Sequence, residues 1–181
     1  MGAVRSVALL RGINVGGKRP VPMAELRDVF EAAGLDEVRT YVQSGNVVFS
    51  HDERDAVVLT DRLEQAITER FGSDIAVVLR TADELEAVVR ANPYADRVPL
   101  APATALHVTF LDRRMEPSVL SVEGADFAPD ELAVVGRDVY LFLPGGIGRS
   151  KLAARVARQV APVRATTRNW NTVRKLRELA S

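Results

Sequence analysis

Cysteine is absent from the 181 residues, and histidine occurs only twice, as His51 and His107. Disulfides, thiol catalysis and cysteine-ligated metal sites are therefore excluded, and a zinc site would need mostly carboxylate ligands. His107 lies within a strand-like apolar run, which favours a core histidine over a catalytic base. We therefore predict no metal and no other cofactor, and no catalytic residue can be named from the sequence.

Long apolar runs are also lacking. No stretch of about 18 apolar residues occurs, so we predict no membrane span. The first residues enter a strand-like run directly and lack the apolar core and cleavage site of a signal peptide. The hydrophobic share of 47% and the charged share of 27% are those of an ordinary globular protein. We expect a soluble protein located in the cytoplasm.

Acidic residues are nearly missing from residues 145–181. This segment holds nine basic residues and one acid, Glu178, so its net charge is +8. The rest of the chain holds 15 basic and 23 acidic residues, which gives −8 and a net charge of zero overall. Such a separation predicts either an anionic partner for the basic segment or docking of that segment on the acidic remainder of the chain.

Hydrophobic periodicity predicts the order β-α-β-β-α-β in the first part of the chain. Both helices carry apolar residues on one face and end at a glycine, and Ser44-Gly45 between two strands is a hairpin signal. The predicted elements are a strand at 4–12, a helix at 23–34, two strands within 37–50, a helix at 55–72 and a strand at 75–81.

The same order is predicted a second time. A helix opens this part, with Thr81 and Glu84 as its capping box and Pro93 at its end. The elements that follow are a strand at 104–111, a helix at 116–124, a hairpin of strands at 131–136 and 138–143, a helix at 150–161, a strand at 163–167 and a helix at 169–180.

These patterns predict an α+β protein of two ferredoxin-like (β-α-β-β-α-β) subdomains in tandem, with extra helices before and after the second. The predicted limits are 1–81 for the first subdomain, 82–103 for a helix and linker, and 104–181 for the second subdomain with its terminal helix. The runs "VALL", "LAVV" and "VYLFL" predict strands buried on both faces. RNA recognition on an open sheet is disfavoured, because the strands offer few aromatic residues.

The stretch "GINVGGKR" at 12–19 matches the phosphate-binding P-loop at Gly12, Gly17 and Lys18. Arg19 replaces the hydroxyl that such a loop needs for magnesium, and prolines follow at once, so hydrolysis of ATP is not expected. Two interpretations stay open. The loop binds a phosphate or carboxylate with Arg11, Lys18 and Arg19, or it is a glycine-rich connection with solvated charges.

A second glycine-rich loop, "PGGIGRSKL" at 144–152, precedes a helix that Ser150 is predicted to cap. Lys151, Arg155 and Arg158 follow at helical spacing and form a basic stripe. The loop and the helix start are candidates for an anion site, and a capped, solvated helix is the alternative. A nucleophilic role for Ser150 is not expected, since no histidine lies nearby in the sequence.

Two further polar clusters stand out. Ser44, Gly45 and Asn46 form a turn for which a structural role is favoured. The stretch "ATTRNWNTVRKL" at 165–176 contains the single tryptophan, which we expect to face the core, whereas Arg174 is expected to face outward. For this second cluster a binding role and a structural role are equally open.

Four stretches together resemble the bacterial domain of unknown function 1697 family. They are "ALLRGINVGGKRPVPMAEL" (8–26), "VRTYVQSGNVVF" (38–49), "GRSKL" (148–152) and "ATTRNWNTVRKL" (165–176). Arg19 departs mildly from the usual family pattern. The resemblance covers essentially the whole chain and implies two ferredoxin-like subdomains, but it implies no established reaction.

The family motifs contain polar, loop-borne residues, where function usually resides. From them we predict a set of ligand-binding residues: Arg11, Asn14, Gly16, Gly17, Lys18, Ser44, Asn46, Ser150, Lys151, Thr167, Arg168, Asn169 and Asn171. The expected function is binding of an anionic ligand, namely a nucleotide, a phosphorylated metabolite or a nucleic-acid backbone. The alternatives are an enzyme acting on a small phosphorylated or carboxylated substrate, and a protein-interaction module without a ligand. A second copy of the chain, in a homodimer, is among the expected partners.

Overall fold

The structure, a computed structural model, describes residues 2–16, 20–102, 104–116, 120 and 127–181. The chain divides into two compact units, Met1–Glu86 with Leu176–Ser181, and Ala87–Lys175. Both dividing points lie inside helices. Each unit contains one four-stranded antiparallel sheet, which confirms the predicted α+β class.

The first unit contains the elements predicted for the first part of the chain. They are β1 (Val4–Leu10), α1 (Met23–Ala32), β2 (Asp36–Tyr41), β3 (Asn46–His51), α2 (Ala56–Phe71) and β4 (Val77–Thr81), followed by the first part of α3 (Ala82–Arg90). The strand order is β2-β3-β1-β4. The side chains of α1 and α2 pack on one face of this sheet around Phe30 and Phe49, whose rings meet edge to face with centroids 5.5 Å apart.

The helices of this unit begin and end where local chemistry dictates. Asp55 caps α2 by accepting from the backbone N–H of Val57 at 2.8 Å, and Gly72 ends it with φ of +64°. The predicted capping box is present at α3, where the Thr81 N–H donates to the Glu84 carboxylate at 3.0 Å. The Glu84 N–H donates in return to the Thr81 hydroxyl at 3.2 Å.

The second unit contains β5 (Leu106–Leu111), β6 (Glu131–Val135), β7 (Asp138–Phe142), α4 (Lys151–Gln159), β8 (Ala165–Asn169) and the first part of α5 (Trp170–Ala180). Its strand order is β6-β7-β5-β8. The helix predicted at 116–124 lies almost entirely outside the described residues.

Burial along the strands follows their place in each sheet. The runs "VALL" in β1 and "VYLFL" in and directly after β7 are buried throughout, as predicted, and every residue of β3 and β5 is buried as well. The same prediction is wrong for "LAVV" in β6, where Val134 and Val135 are each 39% exposed. β6 is an edge strand beside β7, so an apolar run alone did not indicate burial. Within the described ranges, no helix is both long enough and apolar enough to cross a membrane.

Candidate functional site

The loop that follows β1 is held by the side chain of Asn14. Its amide nitrogen donates to the carbonyls of Val21 at 3.0 Å and Gln43 at 2.9 Å, and its oxygen accepts from the Val21 N–H at 2.8 Å. Asn14 thus joins the loop to the start of α1 and to the β2–β3 turn. Arg11 and Gly16 are exposed on this loop. The predicted ligand residues Gly17 and Lys18 lie outside the described residues.

The β2–β3 turn packs closely against that loop. Gly45 has φ of +75°, and a Cβ atom there would lie 2.6 Å from Cδ1 of Ile13. Asn46 is fully buried and donates from Nδ2 to the Tyr41 carbonyl at 2.9 Å and to the Ser44 hydroxyl at 3.0 Å. Ser44 and Asn46 therefore stabilise the turn, and their role as ligand contacts stays a prediction.

Helix α4 begins as the sequence predicts. Ser150 is buried, and its hydroxyl accepts from the Ala153 N–H at 2.9 Å. Leu152, Ala153 and Val156 bury the inner face of the helix against the apolar core of the second unit. This packing fixes which residues of α4 face water.

The outward side of α4 and the residue before its cap carry only basic charge. Arg149, Lys151, Arg155 and Arg158 are all exposed, and we call these four residues the basic face. Because an α-helix rises about 1.5 Å per residue, the Cα atoms of Lys151 and Arg158 lie about 10 Å apart along the helix axis. No ion pair is formed by these four side chains with the described part of the chain. The basic face is thus free to meet an anion.

The polar side chains of β8 form hydrogen bonds within the second unit. Arg168 is only 7% exposed, and its Nη1 donates to the Thr166 hydroxyl at 2.7 Å and to the Thr167 carbonyl at 2.9 Å. Burial lowers the pKa of Arg168 to about 10, so this guanidinium remains charged at neutral pH. The hydroxyls of Thr167 and Thr109 lie 2.7 Å apart and share a hydrogen bond.

The end of β8 leads directly into α5. Asn169 caps this helix, because its Oδ1 accepts from the Thr172 N–H at 2.9 Å. Asn171, one position further into the helix than Trp170, is exposed, whereas Arg168 is buried and Thr167 and Asn169 are half-buried.

A cavity of about 290 Å³ opens in the second unit beside the start of α5. It lies between the segment that follows α3, the strands β5 and β7, and α5. Among the described residues, the polar lining consists of Asn171 and Arg174, and the apolar lining of eight residues: Val98, Pro99, Ala101, Pro102, Ala105, Leu106, Phe142 and Trp170.

Aromatic and charged contacts fix the Phe142 wall of this cavity. The guanidinium carbon of Arg97 lies 3.8 Å from the centroid of the Phe142 ring, and the Tyr94 ring lies 5.5 Å away on centroids. Arg97 also donates to the Glu131 carboxylate at 2.6 Å. Burial, and next the charge of Glu131, raise the pKa of Tyr94 to about 12, so its hydroxyl stays protonated.

Few of the residues that line this cavity were predicted from the sequence to bind a ligand. Of the predicted ligand residues that the structure describes, Asn171 alone is in its lining. Arg174 is exposed as expected, but it also lines the cavity, and Val98, Pro99, Ala101 and Pro102 of the predicted linker form one of its walls. The proline-rich composition of that stretch and the single tryptophan were the available signals. Among the described residues, no three histidine or carboxylate side chains come together to hold a metal ion.

The comparisons place the chain among known proteins. A family model described as "Protein of unknown function (DUF1697)" matches residues 4–140. The chain belongs to this family. The DUF1697 match includes the loop of Asn14 and the β2–β3 turn, and it ends before α4, β8 and α5.

A solved structure supports the fold over the full chain. The conserved bacterial protein SP0830 from Streptococcus pneumoniae matches with a TM-score of 0.78 and 24% sequence identity, and the match covers 99% of each chain. At this identity the likeness concerns the fold. No curated protein matches the sequence.

Proposed function

We propose that this DUF1697 protein binds the phosphate backbone of a nucleic acid through the basic face of α4. The observation that carries the proposal is the row of four exposed cations, Arg149, Lys151, Arg155 and Arg158, without an acidic neighbour on the helix. Cations aligned along one side of a helix suit a ligand with repeated negative charges, because each phosphate meets its own partner.

The surroundings of α4 favour an extended anion over a single small one. The four cations lie on an outward surface, so a lone phosphate would be shared with water and screened by salt. The glycine-rich loop before Ser150 and the positive end of the helix add to the attraction. Lys151 and Arg149 stand at this end, and Arg11 is a further exposed cation in the first unit.

The predicted ligand residues divide into two groups under this proposal. Lys151, Arg11 and Asn171 have exposed side chains that are available to a ligand. The others with bonded side chains maintain the loops and caps on which those residues depend; they are Asn14, Ser44, Asn46, Ser150, Thr167, Arg168 and Asn169. Gly16 acts through its backbone, and Lys18 stays a predicted contact.

We also propose that each unit is a ferredoxin-like subdomain and that the two arose by internal duplication. The two sheets have the same relative strand order. Arg80 and Arg168 are both the fourth residue of the last strand, both are buried, and both donate from Nη1 to the preceding carbonyl. The next residue, Thr81 or Asn169, caps the following helix in each case. The subdomain limits of 1–81 and 104–181 and the cytoplasmic location remain predictions.

Fluorescence anisotropy with a labelled 20-nucleotide single strand, in about 50 to 200 mM salt, tests the nucleic-acid proposal. Four phosphate contacts predict a slope of about −3 for log K against log salt concentration. The variant Lys151→Gln/Arg155→Gln/Arg158→Gln should lower the affinity at least tenfold and flatten the slope. A variant with the same loss of charge elsewhere, Arg27→Gln/Arg62→Gln/Arg113→Gln, serves as the control because these arginines are exposed but lie off α4.

Three outcomes would contradict the proposal. One is binding that does not depend on salt, and another is an equal loss in both triple variants, since non-specific attraction to any positive charge would give it. The third is displacement of the strand by inorganic phosphate at millimolar concentration, which would indicate a site for one phosphate. Light scattering on the same samples determines whether the protein is the predicted homodimer.

A further inference from the structure

We infer that the cavity beside α5 binds a small monocarboxylate with an apolar, ring-containing body. This site is independent of the basic face of α4. Four features of the cavity favour such a ligand. They are its mostly apolar lining, the charge of Arg174, its volume and the contacts that hold its aromatic walls.

The lining selects an apolar body. Eight of its ten residues are apolar, and they include the aromatic side chains of Phe142 and Trp170. Phe142 is 4% exposed and Trp170 is 5% exposed, so both rings are held in place by the surrounding structure. A pocket with many apolar walls and a few polar groups is the usual form of a small-molecule site.

The two polar residues determine the head group. Asn171 and Arg174 are three residues apart on α5, so their side chains lie on the same side of the helix. Arg174 makes no hydrogen bond or ion pair with the described residues, and its planar guanidinium matches a carboxylate. One guanidinium balances one negative charge, which favours a monocarboxylate over a phosphate dianion.

The start of α5 does not supply this charge recognition by itself. The Thr172 N–H in the first turn already donates to Asn169 at 2.9 Å. Recognition of the anion therefore depends on the side chain of Arg174, with the Asn171 amide as a second donor. This dependence makes the proposal testable by one substitution.

The volume limits the body to one or two rings. A cavity of roughly 150 Å³ is known to hold benzene. The cavity here, about 290 Å³, is nearly twice as large. A phenyl ring with a short chain and a carboxylate fits this space.

The walls are prepared before a ligand arrives. Arg97 stacks on Phe142 and is itself held by Glu131, which leaves little freedom to the Phe142 ring. Leu106 and Phe142 are paired across β5 and β7, so the base of the cavity belongs to a sheet. A site on rigid elements loses less conformational entropy when it binds.

The test uses the only tryptophan as its signal, because Trp170 lines the cavity. Its fluorescence is titrated with phenylacetate and 4-phenylbutanoate, and with the neutral amide of each acid. We expect at least one acid to bind with a dissociation constant of about 1 mM or below. That acid should bind at least tenfold more tightly than its amide.

Three variants assign the effect to the cavity. Arg174→Gln should bring the acid to the affinity of the amide, whereas Arg114→Gln, at an exposed arginine outside both proposed sites, should leave the tenfold difference unchanged. Ala101→Leu should weaken binding of acid and amide alike, since the larger side chain fills the cavity. Because Arg174 is exposed, Arg174→Gln should fold normally and keeps the test decisive if Ala101→Leu does not fold.

The proposal is overturned by any of three results. They are no change in Trp170 fluorescence or melting temperature with either acid at 10 mM, equal affinities for acid and amide, and an acid preference that survives Arg174→Gln. None of these results bears on nucleic-acid binding, which is measured with different variants, so the two proposals succeed or fail separately.

Discussion

The guanidinium carbon of Arg97 lies 3.8 Å from the centroid of the Phe142 ring, and Nη1 of the same guanidinium donates to the Glu131 carboxylate at 2.6 Å. One arginine thus joins the segment after α3, the strand β7 and the edge strand β6. Tyr94 packs on the same ring with centroids 5.5 Å apart. The cluster stabilises a segment that has little regular secondary structure of its own.

Arg97→Ala should lower the free energy of unfolding by about 1 to 2 kcal/mol, because it removes both the cation–π contact and the ion pair. Glu131→Gln should cost less than about 1 kcal/mol, since this ion pair is half exposed. Urea denaturation followed by circular dichroism measures both. Equal losses in the two variants would show that the ring contact contributes nothing.

Gly45→Ala should destabilise the protein by about 2 to 4 kcal/mol. The residue has φ of +75°, and a Cβ would lie 2.6 Å from Ile13 and 2.9 Å from Leu10. Gly136→Ala is the matched control, with φ of +63° and no atom within 4 Å of a Cβ, and should cost about 1 kcal/mol. Thermal melting of both variants separates steric overlap from backbone strain.

Asn14→Ala should release the loop after β1 from its two neighbours. It removes all three side-chain hydrogen bonds and places alanine at φ of +54°. Asn14→Gly removes the same bonds without the backbone strain, so the difference between the variants measures that strain. Hydrogen exchange at the Val21 amide should accelerate in both variants, and an unchanged rate would refute this role of Asn14.

Stability should decrease when the pH falls from 7.5 to 5. Burial lowers the pKa of His51 and of His107 below 6.5, and Nδ1 of His107 has no hydrogen-bond partner among the described residues. Below about pH 6.5 the two histidines therefore bind protons in the unfolded chain, whereas in the folded chain they bind them only at lower pH. The free energy of unfolding is highest above that pH and falls toward the folded-state pKa values.

The contribution of each histidine to this pH dependence is measured by replacing it with glutamine, which does not titrate. His107→Gln and His51→Gln should each reduce the difference in unfolding free energy between pH 7.5 and pH 5, and the double variant should reduce it most. Denaturation curves at the two pH values give that difference, whatever the absolute stability of each variant. An unchanged difference in the double variant would assign the pH dependence to carboxylates.

The sequence predicted the elements of the fold where local signals were strong. Gly72 and the Thr81–Glu84 pair act within a few residues of their partners, so their effects appear in any short window of sequence. The burial of β6 was predicted wrongly because an apolar run does not show whether a strand lies at the edge of its sheet. Among the described strands, β6 lies at the edge because it pairs with β7 on one side and with no strand on the other.

The cavity could not be predicted in the same way. It depends on the register that sets Leu106 opposite Phe142 and on the return of α5 to the segment at 98–102. The burial of Arg168 illustrates the same limit, and its role as a ligand contact stays a prediction. The alternation of side chains along β8 and the burial of that strand place its guanidinium inside the protein.

The membership of residues 176–181 in the first unit has a consequence for biosynthesis. Leu176 is fully buried and Ala180 is 2% exposed, and Arg177 bonds to Glu86, so these late residues complete a body begun at β1. On the ribosome, the second unit can be finished while the first still lacks its closing turn. Folding normally proceeds from the N-terminal end during translation, but the first unit here is complete only after residues 176–181 have been synthesised.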